Sequence, residues 1–592
     1  MAVENECFVE TLDVLKISSK EAVENLDQFS DFKEYMHVKR SMQDELIQMI
    51  GKASQSNKSE LIMICGSVGD GKSHLLSYIK HHYPEMMAPF YLHNDASESF
   101  DPTKTSMDTL NEVLDAFSNQ GLESGMIKKV IVAINLGTLN NFIESKYREA
   151  FSKLRGFVHQ YKIVESEIKH YVYDETSPFH YVNFTDYHMY TLTEKGPKSS
   201  YIDELLLKVL SEDETSYFKQ AYDRTCMACH CQKVCPIRAN YELLKKAEAR
   251  QGVVVSLVKA MIKEKLILST RDLLNLFNDL ITGGITGKAL MKLNDSRVTS
   301  DKLYEQMQLL LINNLFEGAQ RSHVLDKLAL VDPIKWTNVE DEEHMVSYQI
   351  TNNPAKELKE DLADLNWEYA DYLVETLERL IAEGIQTQTK LHKIKEISYR
   401  LYKRGKVFRG MVEQDQIFAN YMKDLYAINR QYKLGIKEIV KDVKEVIYKW
   451  DGSVESQGVR ITSSKKHRDL GIYEPIAIKP QVADMVDSGR EEIEKFVTHI
   501  GLKFIREGSD QEVILDLDYD LYELVKKLSK GYIVGEEEYK RNINLQLFIE
   551  KLLCQGEEEK KKLVFERIVD GELKRYELKY DSDFEQYEFV GI

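Results

Sequence analysis

Cysteine and proline are both scarce in this chain. Its 592 residues include seven cysteines, four of them crowded into Cys226–Cys235. So few thiols exclude a disulfide scaffold, and the crowding reads as a metal site in a reducing compartment. Ten prolines in the whole chain leave room for long helices. No apolar run approaches the ~18 residues of a membrane helix. The opening MAVENECFVETLDV is acidic and lacks the apolar core of a signal peptide. A soluble, cytoplasmic protein that does not engage a membrane is expected. Positive charge is also short: 79 Lys and Arg against 97 Asp and Glu give a net −18. That excludes a general polycation, so any DNA contact must come from local basic patches or from a partner.

What is present is a globular composition, with 43% hydrophobic, 10% aromatic and 30% charged residues. It excludes wholesale disorder and collagen-like repeats. The first 200 residues alternate strand and helix signals. Helical periodicity places Met36, Val38, Met42, Leu46, Ile47 and Ile50 near one face of Tyr35–Ile50. Short apolar runs predict strands at Glu60–Cys65, Pro89–Leu92, Lys129–Leu136 and His180–Phe184. Helices are expected over 72–80, around Met107–Phe117, and from the third strand to about Leu154. Such alternation predicts an α/β fold with a doubly wound parallel sheet. Helical periodicity then runs to about residue 445, interrupted by a polar loop near Asp332–Glu343. Asp570-Gly571 marks a hairpin between two β-rich runs near the end of the chain. The expected organisation is a nucleotide-binding core with N-terminal helices (1–200), a helical lid-like region carrying the cysteines (201–300), a helical domain (301–450) and a small α+β domain (451–592).

Gly66-Ser67-Val68-Gly69-Asp70-Gly71-Lys72-Ser73 matches G-x-x-x-x-G-K-[ST] between a predicted strand and a predicted helix. Glycines let backbone N–H groups wrap phosphate oxygens, and a helix N-terminus adds partial positive charge. In a P-loop NTPase Lys72 would neutralise the β- and γ-phosphates of ATP and Ser73 would bind Mg²⁺. The catalytic carboxylate is less evident. The strand VIVAINLG ends in Asn135, and an amide is neither a general base nor an anionic metal ligand. Asp95 and Glu98 after the second strand are the preferred acids, with Asp186 after a later strand as the alternative. Arg271 is a candidate for stabilising charge on the transferred phosphoryl group, on a helix that Thr270 is expected to cap. Arg148 and Arg155 are further candidates, each with a surface ion pair as the plain alternative.

Cys226, Cys229, Cys231 and Cys235 have the spacing C-x₂-C-x-C-x₃-C-P. This predicts a structural Zn²⁺ site, with an iron–sulfur cluster as the alternative and His230 able to replace one thiolate. Two basic stretches, Arg400–Arg409 and Arg460–Arg468, suit either a phosphate backbone or a solvated surface. A Glu-x-Lys nuclease pattern, Asp516 or Asp518 with Glu572/Lys574 or Glu577/Lys579, is weak in so charged a chain.

The succession GSVGDGKSHLL, LHNDASESFDP, VAINLGTLNNF and a cysteine cluster ending CPIRANYELL resembles the DptF family, the F component of bacterial DNA-phosphorothioation-dependent restriction systems. The likeness spans residues 30–300. The resemblance implies an ATP-using, Mg²⁺-dependent subunit that works with G and H components against unmodified foreign DNA, an antiviral defence. DNA would be met through the complex, and a homo-oligomer is left open. The residues alone also admit a second function, a nucleotide-gated scaffold or signalling protein with little hydrolysis, which Asn135 favours.

Overall fold

The computed structural model describes residues 7–16, 30–67, 69–94, 105–165, 171–294, 297–385, 387–409, 415–450, 458–461, 470–555, 562–569, 572–581 and 583–592. The chain forms two compact units. The first comprises residues 1–191, 197–414 and 494–496; the second comprises 192–196, 415–493 and 497–592. The architecture is mixed α/β: a four-stranded parallel sheet, many helices and separate antiparallel sheets.

The parallel sheet lies in the first unit. Its strands are β1 (Glu60–Gly66), β2 (Phe90–His93), β3 (Lys129–Asn135) and β4 (Phe179–Asn183), in the order β2-β3-β1-β4. Every residue of β1 is buried. Its sequence ELIMIC does not alternate because both faces are covered, the usual pattern of a parallel strand. Parallel pairing aligns Gly66 with Asn135 on one side and Cys65 with Asn183 on the other. Leu46 and Ile50 of the Ser41–Gln55 helix, Leu76 and Ile79 of Lys72–His82, and Phe142 of Leu136–Ile143 share one core with the sheet. At the start of β1 the buried Glu60 carboxylate meets His180 Nε2 at 2.6 Å and accepts from Tyr173 at 3.0 Å. Burial works to raise the Glu60 carboxyl, but His180, Ser56 and Lys58 together outweigh it and hold it below the ordinary range.

Some helix expectations need correction. Tyr35–Ile50 is not one helix: Asp31–Tyr35 ends at Met36, and Ser41–Gln55 begins after an extended Arg40. Met36 and Val38 are buried from the intervening coil, which is why the apolar periodicity runs through the break. The helix after β3 stops at Ile143 and a second one spans Ser152–Gln160. In the turn between them the Tyr147 hydroxyl donates to Asp108 at 2.6 Å. The polar segment near Asp332–Glu343 is partly helical. Asn338 caps Val339–Ile350 by accepting from the Asp341 N–H at 2.8 Å. From Ser200 to Lys449 the described elements are all helical. None of the described helices is long and apolar enough to cross a membrane.

In the second unit, strands Leu563–Val569 and Glu572–Asp581 pair antiparallel around the expected hairpin, in register Val569↔Glu572. Asp570 and Gly571 themselves lie outside the described residues. The nuclease pattern does not assemble. Asp516 sits in a sheet separate from the Glu572–Asp581 strand, and Asp518 caps the Tyr519–Ser529 helix. Glu577 faces Lys562 at 3.2 Å.

The basic stretch at Arg400–Arg409 is no surface for phosphate. Lys403, Arg404 and Lys406 are buried. Lys403 and Lys406 both meet Asp341, the latter at 2.9 Å. Arg404 reaches Asp332 at 2.6 Å and Glu317 at 2.6 Å. The acids come from segments distant in sequence, so periodicity in one helix cannot reveal them. In the second cluster Lys465, Lys466, His467 and Arg468 lie outside the described residues.

Burial works to raise the Asp341 carboxyl, and the two lysines overcome it and hold it below the usual range. A depressed carboxyl contributes stability above its unfolded value, about 3.9, that is lost as pH falls through the lower folded value. Asp341→Asn is therefore expected to destabilise the chain by about 3–5 kcal/mol at neutral pH, because two buried ammonium groups lose their counter-charge. Denaturation from pH 7 to pH 3 checks this, and the gap between wild type and variant should narrow below pH ~4. A constant gap contradicts it.

Candidate functional site

The Gly66–Ser73 motif occupies the turn from the end of β1 into the Lys72–His82 helix. Gly69 and Gly71 hold φ of +86° and +90°, a region that disfavours any side chain. Crowding adds to this, because a Cβ at Gly69 would approach the Ser269 Cβ to 2.8 Å. Lys72 Nζ donates back to the Ser67 carbonyl, and the Asp70 carboxylate accepts from the Ser67 N–H. A side-chain carboxylate thus occupies a donor that a phosphate oxygen can use. Burial raises the Asp70 carboxyl while Lys72 opposes. Val68 lies outside the described residues. Ser73 stands in the first turn of the helix. The next residue, His74, is held down to about 4 by burial, with His37 beside it at 3.1 Å.

Around this turn the structure gathers other groups. Asn135 ends β3 level with Gly66, but its side-chain Oδ1 caps the next helix, accepting from the Thr138 N–H at 2.7 Å. Asp186 follows β4, held by the Asn183 amide at 2.8 Å. Burial pushes its carboxyl up to about 6, against the pull of Lys495. Asp95 and Glu98, the preferred acids, lie outside the described residues. Arg271 stands in the first turn of Thr270–Thr282, whose cap is Ser269 rather than Thr270: Ser269 and Asp272 form a reciprocal capping box. That places the Arg271 turn against Gly69. Arg271 Nε is buried and has no hydrogen-bond partner among the described residues. Arg148 and Arg155 instead make ion pairs with Glu149 and Glu144.

Arg40 is the group that sequence reasoning missed. It donates to the Asp70 carbonyl at 3.2 Å and to the Tyr187 carbonyl at 3.3 Å, and lies over the Tyr201 ring at 5.0 Å. The Tyr201 hydroxyl in turn meets Thr270 Oγ1 at 2.8 Å. A lone arginine before a helix start carries no sequence signal, whereas Ser269-x-x-Asp272 was readable as a capping pattern.

The cysteines form a second site. Cys226 closes the Tyr217–Thr225 helix and Cys235 precedes the Pro236–Leu244 helix. Cys229, His230 and Cys231 bring their donor atoms within 4.8 Å of one another, a group that can hold a metal ion such as zinc. The Cys231 N–H donates to the Cys229 sulfur at 3.4 Å. Cys226, Cys229, Cys231 and Cys235 all line one cavity of about 20 Å³. Burial pushes Cys235 up to about 12 and raises Cys226 further.

Compared with protein-family models, curated proteins and solved structures, the chain matches none of the three.

The thiol cluster gives a direct expectation. Purified chain should carry bound metal, and Cys226→Ser with Cys229→Ser should release it and lower thermal stability, since metal-binding energy is also folding energy. Elemental analysis and thermal melts measure both. Unchanged metal content in the double variant contradicts the expectation.

Proposed function

We propose that this chain is the ATP-binding and hydrolysing subunit of a phosphorothioation-dependent DNA restriction complex, built on a P-loop NTPase fold. The observation that carries the nucleotide reading is the glycine turn at the end of the central parallel strand, opening into a helix at Lys72. That is where open α/β sheets bind ligands. Arg271 supports hydrolysis, as a half-buried cation whose Nε is enclosed and unsatisfied among the described residues, beside the turn. Mg²⁺ would take Ser73 and a carboxylate, for which Asp95 and Glu98 remain the sequence candidates and Asp186 is the described one. The assignment to a restriction complex rests on the resemblance of the motif succession to the DptF family. It carries with it the G and H components as partners and a cytoplasmic place.

The acidic balance of the chain and the internal pairing of Lys403, Arg404 and Lys406 speak for DNA contact through partners. A second reading, a nucleotide-gated scaffold with slow turnover, is favoured by one observation: Asn135 is engaged as a helix cap in the place where a carboxylate would serve. ATPase rates with and without unmodified DNA and the G and H components separate the two. Stimulation by DNA and partners supports the first reading; ATP binding with no turnover under any condition supports the second.

Lys72→Ala is expected to lower the hydrolysis rate at least ~100-fold while leaving the circular dichroism spectrum unchanged, because a point charge at the phosphates acts mainly on the transition state. Arg271→Ala should cut turnover by ~10-fold or more with nucleotide affinity little changed. Wild-type turnover in Lys72→Ala would refute the phosphate-loop assignment.

A further inference from the structure

Arg40 grips the glycine turn by its backbone. The residue is half-buried and extended, with φ −117°, just before the Ser41–Gln55 helix. One terminal guanidinium nitrogen donates to the Asp70 carbonyl at 3.2 Å and the other to the Tyr187 carbonyl at 3.3 Å. The Tyr201 ring lies 5.0 Å from the guanidinium carbon. Among the described residues no carboxylate forms an ion pair with it. A planar guanidinium with fixed donor directions suits such a bridge, and a lysine ammonium, a single point of charge, does not.

Each partner belongs to a segment that carries a candidate functional group. Asp70 is in the turn itself. Tyr187 follows Asp186 after β4. The Tyr201 hydroxyl meets Thr270 Oγ1 at 2.8 Å, next to Arg271.

The contact with Asp70 fixes one peptide plane. The described peptide bonds are all trans. Across a trans peptide the carbonyl and the next N–H point to opposite sides. With the Asp70 carbonyl turned to Arg40, the Gly71 N–H faces away from it. That N–H has no acceptor among the described residues, whereas the Ser67 N–H is taken by the Asp70 carboxylate. Gly71 stands at φ +90°, and a glycine there leaves the peptide before it free to rotate unless something holds it. Arg40 is what holds it.

We propose that Arg40 is a positioning residue for phosphate binding: it tethers the Asp70–Gly71 peptide so that the Gly71 N–H stays available to a phosphate oxygen. It acts through the backbone and touches no nucleotide. The proposal rests on the nucleotide reading of Gly66–Ser73 and adds a determinant of phosphate affinity outside that motif. Without the tether the Gly71 donor is still present, but binding must first order it.

The test is equilibrium binding to the full chain of two probes with Mg²⁺, a non-hydrolysable ATP analogue and inorganic tripolyphosphate, the latter read by competition. Arg40→Ala is expected to weaken both by the same factor, about ten-fold, the worth of one charge-assisted hydrogen bond. Arg40→Lys keeps the charge without the fork and should fall between Arg40→Ala and wild type. Guanidinium ion at low millimolar concentration should restore part of the affinity of Arg40→Ala, which a general loss of packing would not allow. Circular dichroism reads the fold, and Arg40→Lys carries the comparison if Arg40→Ala does not fold. A loss confined to the nucleotide, with tripolyphosphate unaffected, means that Arg40 touches the base or ribose and overturns the proposal. Wild-type affinity in both variants overturns it too and leaves the nucleotide reading standing. A wild-type chain that binds neither probe overturns the reading and the proposal together.

Discussion

The central constraint in this protein is the complete burial of β1. A strand covered on both faces and paired on both edges can expose only its two ends. At its start the chain places Glu60, and pairs that buried carboxylate with His180 and Tyr173, so the charge is compensated where it leaves water. At its end the chain turns through glycines into a helix. Those backbone N–H groups cannot be satisfied by a strand ladder and are left to bind a ligand or a side chain. Here Asp70 takes one of them. One backbone donor of the turn is therefore already taken by an internal carboxylate.

The helical part of the first unit closes on that turn from outside the sheet. Ser269 presses on Gly69, Tyr201 reaches Thr270, and Arg40 links the loop to the segment after β4. A change in the loop's occupancy has packed neighbours to act upon. The same helical part encloses buried ion pairs and a cluster of buried thiols. Asp341 and Asp332 neutralise buried lysines and an arginine. Burial raises the Cys226 and Cys235 thiols of the cluster.

Local features were legible in the sequence and remote ones were not. The four strands stood out because a continuous apolar run needs no partner to be recognised, and their ends shifted by only a residue. Gly66–Ser73 was readable for the same reason: its spacing is its chemistry. The break between Tyr35 and Ser41 was hidden because Met36 and Val38 stay buried in coil. Arg400–Arg409 read as a basic surface because the acids that neutralise it are contributed by other segments. Arg40 at the loop and Cys7 at the thiol cavity were invisible for that reason too, since only tertiary folding brings them in.

The proposed role of the Gly66–Ser73 turn is to bind the phosphates of a nucleotide. Equilibrium titration of the full chain with Mg²⁺ and a non-hydrolysable ATP analogue tests it most directly, with a thermal melt at saturation as the second readout. A phosphate site there should bind one nucleotide per chain and, at about 100 times the dissociation constant, give a stabilisation of ~2.7 kcal/mol. A wild-type chain that binds no nucleotide, with an unshifted melt at millimolar analogue, would contradict it.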